Sequence, residues 1–407
     1  MTAVTSYRIL AVAGAFAIGW TRAQAQIPVR EIGPVIATSE ATFAPLVVLR
    51  GLANGSAIVN EVGRRRLLYL DSTLALTTVV ADSTRLPSST SLMAYGNDTS
   101  LYPEVQTRTL LVLDEHGKLV RPIALPRSVD WTFVWRGAKY GLPYADPRGS
   151  LVYRAEFPAK ASRSLFGPAV AVALAGLPDS APLIRANFET RIVDTVAAIK
   201  VANEAKPVSL VVAANGLLVV KMVINPFPSY DQWIMLRDGT IAIVRAADYH
   251  VDWIAPDGQR LSTPAMPMDW HVLTDTEKQV RVNALNQQRA ELNSGHPAGL
   301  MTPVGIRWLT REYDFMPLAE MPVRLTPVAF GSLHVDSADN IWMLPTTSLL
   351  ASSAGLLYDV VNRRGQIVER VRLPVGCDLL GFGGSRFAFL ACDYGNGVRI
   401  ESVRVSR

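Results

Sequence analysis

Residues 232–260, QWIMLRDGTIAIVRAADYHVDWIAPDGQR, decide how the rest of the chain is read. Three short apolar runs, WIML, IAIV and VDWI, are separated by Asp238-Gly239, by the polar corner at 246–250 and by Asp257-Gly258. Short apolar runs broken by Asp-Gly pairs are the punctuation of antiparallel strands joined by tight turns. Three strands, with a fourth beginning at Arg260, make one four-stranded antiparallel sheet.

The same signature recurs along the chain. VVLRGLANGSAIV turns at Asn54-Gly55, LMAYGNDTSLY at Asn97-Asp98, YGLPYADPRGSLVY at Arg148-Gly149, LHVDSADNIWML at Asp339-Asn340 and LLGFGGSRFAFL at Gly383-Gly384, which with Asp238-Gly239 makes six copies. A third apolar strand follows each turn pair, as in RLLYLD, TLLVLDEHG, GLLYDVVNRRG and VRIESVRV. Internal repetition of four-strand units with no intervening helix points to radial blades, because a ring leaves only short sheet edges exposed. The expected fold is all-β, a six-bladed β-propeller of four-stranded antiparallel blades. The last unit ends after its third strand, and the orphan IPVREIGPVIA at 27–37 is expected to complete it as the N-terminal closing strand.

Composition agrees with a large core: 407 residues, 49% apolar and 18% charged, with 28 Gly and 26 Pro for turns. The net charge of +5 is scattered. The one tight basic cluster, Arg64-Arg65-Arg66, reads as a solvated turn or a phosphate contact, and no nucleic-acid partner is expected. At the N-terminus Arg8 precedes an apolar run at 9–20, and Ala23-Gln24-Ala25 follows as a small-x-small signal. Residues 1–25 are therefore expected to be a signal peptide cleaved after Ala25, with 26–407 a periplasmic or secreted propeller that has no transmembrane segment and is a monomer. The two cysteines, Cys377 and Cys392, fall in the last repeat. With a two-residue turn at Gly384-Ser385 they stand opposite one another, as a disulfide in an exported protein or as two buried thiols.

The opening VREIGPV, the core DGTIAIVRAADYHVDW, and the late DSADNIWML and YDVVNRRGQIVERVRLP follow a pattern of strand-D-x-x-G-x-[IL]-[WY]-V. In these motifs the chain resembles the exported bacterial six-bladed β-propeller proteins of the NHL-like kind over most of 27–407. The resemblance implies the fold but not an activity, since related propellers include lactonases, lyases and binding platforms. The repeat is irregular: Gly149 to Gly239 is 90 residues and Gly239 to Asn340 is 101, where the other turn spacings are 42 to 52.

In an up-and-down sheet the second-to-third turns and the sheet-to-sheet connections open at one end. The long segments 154–181, 201–228 and 262–327, with 345–354 and 127–139, are all connections of that kind, so binding is expected on one long-loop face. Residues 273–292, LTDTEKQVRVNALNQQRAEL, carry Thr274 three positions before Glu277, a capping-box spacing. They are expected to form a small helical insertion between blades 4 and 5, with Val280, Ala284 and Leu285 on one face. VVAANGLLVVKMV reads as a hairpin about Asn215-Gly216, too close to the next turn to be a blade of its own. Trp131, Phe133 and Trp135 alternate as in a half-buried strand, or as an aromatic wall.

No G-x-S-x-G, P-loop, G-x-G-x-x-G or H-E-x-x-H motif is present. Candidate ligand-binding residues on the long-loop face are Trp131, Trp135, Asp248, Tyr249, His250, Arg307 and Trp308. The i, i+2 pairs Asp248/His250 and Asp269/His271, with His296, are candidate metal ligands, or corner residues bonded locally. His334, on an innermost strand, reads as a core residue. Two functional readings follow. One is a cofactor-free platform that binds an unidentified small molecule or protein; the other is a hydrolase or lyase, lactonase-like, using a divalent metal at the central channel.

Overall fold

The computed structural model describes residues 27–81, 89–96, 98–146, 148–155, 179–202, 205–212, 214, 218–292, 298–302, 305–384 and 387–405. Residues 1–26, with the expected signal peptide, most of 154–181, His296 and the Asn215-Gly216 turn lie outside them. The chain is mostly β-strand, in four-stranded antiparallel sheets taken in order along the sequence. They run Val47–Gly51 to Leu76–Ala81, Met93–Tyr95 to Leu119–Ala124, Tyr144–Asp146 to Val193–Lys200, Gln232–Met235 to Arg260–Ser262, His334–Val335 to Ile367–Arg372, and Cys377–Gly383 to Val398–Arg404. They are called here the first to sixth sheets.

The turns explain why the repeat folds this way. Asp114 accepts hydrogen bonds from the N–H groups of His116 (3.0 Å) and Lys118 (2.8 Å), and Gly117 takes φ 78°. Asn362 does the same for Arg364 (2.9 Å) and Gln366 (3.1 Å), with Gly365 at φ 70°. A side-chain oxygen that mimics a backbone acceptor, followed by a residue free to be left-handed, is the physical content of D-x-x-G.

Both faces of the middle strands are buried, which is why they read as unbroken apolar runs rather than alternating ones. In the fourth sheet Ile241 and Ile243 pack with Val152, Leu183 and Ile199 of the third, while Ala242 and Val244 pack with Ile341, Met343 and Val361 of the fifth. Equivalent apolar clusters join first to second (Ile58, Tyr102), second to third (Leu110, Leu151), fifth to sixth (Val360, Leu390) and sixth to first (Phe389, Leu49). This packing is that of a β-propeller.

The N-terminal segment departs from expectation. It is not one strand but two. Val29–Glu31 adds in parallel to the outer edge of the fifth sheet, and Val35–Thr38 pairs antiparallel with Val398–Arg404 as the outer strand of the sixth. Gly33 lies between them against the Arg404 carbonyl, where a Cβ would come within 1.7 Å of the oxygen.

Cys377 and Cys392 are directly opposed, with Cα atoms 4.1 Å apart and the sulfurs bonded. The register is reached by a different route from the one expected. Phe387 pairs with Gly383, so the turn is one residue longer than two, and a bulge between Leu379 and Gly381 restores the alignment. Serine at both cysteines is expected to lower stability by about 2–3 kcal/mol, because the closed loop is short. A urea midpoint unchanged between parent and double variant would show that the bond contributes nothing.

Two further corrections concern the inserted segments. Strands Ala205–Val212 and Leu218–Ile224 do form a hairpin, but it joins a second hairpin, Ala298–Thr302 with Gly305–Phe315, in a separate four-stranded sheet with a parallel centre. Pairing of segments almost a hundred residues apart leaves no local signature. The helix Asp275–Leu292 forms, with Thr274 and Glu277 exchanging capping bonds (2.8 and 3.2 Å). Val280 is 62% exposed, however, and the buried positions are Val282 and Lys278, whose Nζ donates to the Leu318 carbonyl at 3.2 Å. An apolar lysine stem with a satisfied head takes the place that an apolar residue was expected to fill.

Candidate functional site

A groove of about 1130 Å³ runs along the fifth sheet on the side facing the fourth. It exists because the fourth sheet's outer strand, Arg260–Ser262, has only 3 residues and the chain then leaves as Pro264-Ala265-Met266-Pro267-Met268-Asp269. Pro264 and Pro267 lack the N–H that a continuous ladder needs, and from this segment Met266 N–H still reaches the Tyr249 carbonyl at 2.9 Å. One end of the groove lies under the short helix Thr346–Leu350, at the long-loop end, and the other reaches the tight turn at Arg364-Gly365-Gln366. The groove therefore spans the side of the sheet rather than lying wholly on the long-loop face.

Its floor is charged. Asp359, on Leu357–Val361, is 2% exposed, and its two oxygens accept from the Tyr249 hydroxyl (2.8 Å) and from Arg370 Nε (2.8 Å). Asp359 and Arg370 face each other across adjacent strands. Tyr249 arrives from the corner between the second and third strands of the fourth sheet, at φ 60°, and is fully buried. Burial pushes the Tyr249 hydroxyl well above its ordinary value, reinforced by the Asp359 charge. Burial also raises Asp359, against the opposing pull of Arg370 and of the Tyr249 hydrogen bond. A tyrosine of one sheet thus fixes the carboxylate that aims an arginine of the next. Tyr153, Asp130 and Arg127 repeat the device between the second and third sheets, with Asp130 Oδ2 2.6 Å from the hydroxyl and 2.5 Å from Arg127 Nε.

Of the residues expected at the site, Tyr249 acts through Asp359, and Asp248 and His250 flank it. His250 Nδ1 is 2.5 Å from Asp248 Oδ1 and Nε2 is 3.2 Å from Asp252 Oδ1. Arg245 donates to Asp252 (2.6 Å) and Asp231 (2.7 Å). Burial works against the charge of Asp252, but hydrogen bonds from Ser262 and Arg245 outweigh it and hold the carboxyl below its usual range. Both histidine nitrogens face carboxylates, so the corner is a local ion network with no imidazole lone pair directed outward.

Trp131 and Trp135 are elsewhere. They lie on a short helix, Trp131–Trp135, not on a strand. Trp131 (6% exposed) and Val134 (0%) sit at i, i+3 and pack into the core between the second and third sheets. Burial at helical spacing overrode the strand preference of the alternating aromatics. Trp135 stacks under the Arg136 guanidinium at 4.4 Å. Arg307 and Trp308 fall on Gly305–Phe315 of the separate sheet, paired with Leu300 and Gly299. Trp131 and Trp135 do not line the groove. What residue-by-residue reading missed, Asp359 with Arg370, carried one usable signal: a charge inside a strand buried on both faces needs a partner.

The second candidate histidine is also bonded locally. His271 Nε2 is engaged by Glu277 at 2.7 Å, and Thr274, through its N–H and hydroxyl, then His271, hold Glu277 down at about 2. Among the described residues the one set of three donors within 4.8 Å of each other is Cys377, Cys392 and Glu401. Its sulfurs are bonded to each other, and Glu401 accepts from Tyr394. Each of these candidate ligands is thus bonded locally.

His334 is half-buried on an innermost strand, and burial pushes it down to about 4. The unfolded chain then binds the proton more readily, so stability is full above about pH 6.5 and falls as pH drops towards 4. Since the ring keeps some solvent contact, the loss is expected to be about 1–2 kcal/mol. His334→Gln should remove that slope; a parent whose urea midpoint does not fall over this range would contradict the assignment.

No protein-family model matches the chain, and no curated protein sequence matches it. Among solved structures it is similar to β-propeller proteins. A Bacteroides thetaiotaomicron protein of unknown function matches at 11% identity over 93% of this chain and 75% of its own, with a TM-score of 0.42. A gluconolactonase from Xanthomonas campestris matches at 11% over 92% and 99%, TM-score 0.41. The β-propeller domain of Cps50 (Swd1) from Myceliophteria thermophila matches at 10% over 92% and 100%, TM-score 0.41. Likenesses of this size carry neither an activity nor a site across to this chain.

Proposed function

We propose that the protein is an exported six-bladed β-propeller, each of the six packed sheets a blade, that binds a small ligand without chemistry of its own. The observation that carries this reading is the groove between the fourth and fifth sheets, a recess large enough for a metabolite and lined by apolar side chains with a few fixed polar groups. The segments that wall it, 264–269 and 345–355, are inter-strand connections on a rigid scaffold, where binding residues commonly sit. The hydrolase or lyase reading calls for a divalent ion, whereas His250 and His271 are engaged by Asp248, Asp252 and Glu277.

Hydrogen exchange of the full mature chain against a library of small metabolites tests the reading. A ligand is expected to protect 264–269, 345–355 and 366–372 together. Protection confined to the tight turns at Asn54-Gly55, Asp238-Gly239 and Gly383-Gly384 would place binding at the opposite end, and no protection by any compound would leave the platform without support.

A further inference from the structure

We infer that the groove selects an oxyanion, a carboxylate or phosphate carried on an apolar body, and that Arg370 is the group that recognises it; this rests on the binding reading above. Arg370 commits only Nε to Asp359. Among the described residues its two terminal nitrogens carry no hydrogen bond, and the side chain stays 35% exposed on the groove wall. A guanidinium presents a planar fork matched to a two-oxygen anion, and one already anchored through Nε loses little freedom on binding.

The carboxylate that anchors Arg370 is itself fixed. Asp359 is buried, and its second oxygen is taken by Tyr249, itself fully buried and reaching in from the neighbouring sheet. Asp359 therefore cannot swing to follow a solvated arginine. The Asp359–Tyr249 pair is a positioning element, and Arg370 is the contact.

Two further guanidiniums lie beyond that pair. Arg364 and Arg372 also line the groove. Arg372 is spanned by the Ala354 carbonyl (3.1 Å) and Glu31 (3.6 Å), whereas Arg364 is exposed and makes no ion pair among the described residues. Asp269 is the one lining carboxylate besides Asp359, and with Asp359 on Arg370 and Glu31 on Arg372, Arg364 is the lining guanidinium without an ion pair among the described residues. Met266, Pro267 and Met268 line the groove from the segment that follows the fourth sheet, and Leu357 and Ile367 add apolar surface beside the arginines on the fifth. Thioether side chains adapt to apolar bodies of varied shape. The chemistry that satisfies both the arginines and this apolar surface is a small amphiphilic acid.

Calorimetric titration of the full mature chain with 4-phenylbutyrate, phenyl phosphate and the neutral 4-phenylbutanol tests this. The acids are expected to bind, and the alcohol to bind at least about tenfold more weakly, the usual scale of a charge-assisted pair. Whichever acid binds more tightly identifies the headgroup. Arg370→Met is expected to abolish the preference for the acid. Because it strips Asp359 of its partner and is liable to misfold, Arg364→Gln, at an exposed position, and Tyr249→Phe, which frees Asp359, are measured beside it. Each should narrow the acid-to-alcohol ratio about threefold or more without changing alcohol affinity. Alcohol and acid binding equally, or an unchanged ratio in both of the latter variants, overturns the inference. Failure of all three probes while another compound protects 366–372 from exchange overturns the ligand class and leaves the platform standing.

Discussion

Removal of residues 27–38 is expected to lower the melting temperature by about 4–6 °C, the equivalent of about 3–5 kcal/mol in a chain this long. The ribbon clasps two sheets at once. Val29–Glu31 extends the fifth and Val35–Thr38 completes the sixth, while Ile32 between them is 8% exposed in the core shared by both. Arg30 forks onto Glu369 through Nε (2.6 Å) and Nη2 (2.9 Å). Burying Ile32 favours folding by about 1.5–3 kcal/mol, and the ladder bonds by about 0.5–1.5 each, against the entropy of ordering the ribbon. Deletion also uncovers the outer edges of two sheets, which invites association. Gly33→Val probes the same clasp by one substitution. Its Cβ would meet the Arg404 carbonyl, so the crossing must spread, at about 3 kcal/mol. A truncated chain melting within a degree or two of the parent, with Gly33→Val equally unaffected, would show that the ribbon is an ornament on an independently closed ring.

The fold was legible where local chemistry repeats. Asp-Gly and Asn-Gly pairs mark turns because an Asx oxygen and a left-handed residue close them, and that logic holds at Asp114, Asp238 and Asn362 alike. Strands such as IAIV were legible because both their faces are covered. What could not be read is whatever depends on partners distant in sequence. The hairpin at 205–224 carries its own turn signal, but nothing local announces that Leu218–Ile224 runs parallel to a strand at 305–315. The short helix at Trp131–Trp135 was misread because aromatics at alternate positions satisfy a strand's period, and only the burial of Val134 beside Trp131 decides for the helix.

The site was less legible than the fold for the same reason. Tyr249 was singled out as a corner residue near Asp248 and His250, yet its hydroxyl is bonded to a residue 110 positions away. Asp359 and Arg370 sit in YDVV and ERVR, ordinary strand text. Their pairing depends on register between adjacent strands, and the Tyr249 contact on packing between two sheets. A corner motif can be seen in one stretch of sequence; a groove made by the shortness of a neighbouring strand cannot.

Asp359→Ala is expected to cost about 3–5 kcal/mol, since it strands the Arg370 guanidinium and a buried phenol together. Tyr249→Phe should cost less, about 1–2 kcal/mol, because Asp359 keeps Arg370. Combined, the two changes should fall short of their sum by about 1 kcal/mol or more, as for residues of one network. The pH dependence separates this network from simple packing. Burial raises Asp359, so the folded state holds its proton more tightly than the unfolded chain does. The stability that this proton contributes is complete below the ordinary carboxylate range near pH 4 and is lost as pH rises through the raised value. Against Asp359→Asn, which cannot titrate, the parent should therefore lose ground as pH increases from about 4 towards 7. Urea unfolding across that range measures it. A gap between parent and Asp359→Asn that stays constant, or widens in the parent's favour as pH rises, would mean that Arg370 rather than burial governs the carboxylate, and a loss under 1 kcal/mol in Asp359→Ala would mean that neither partner depends on it.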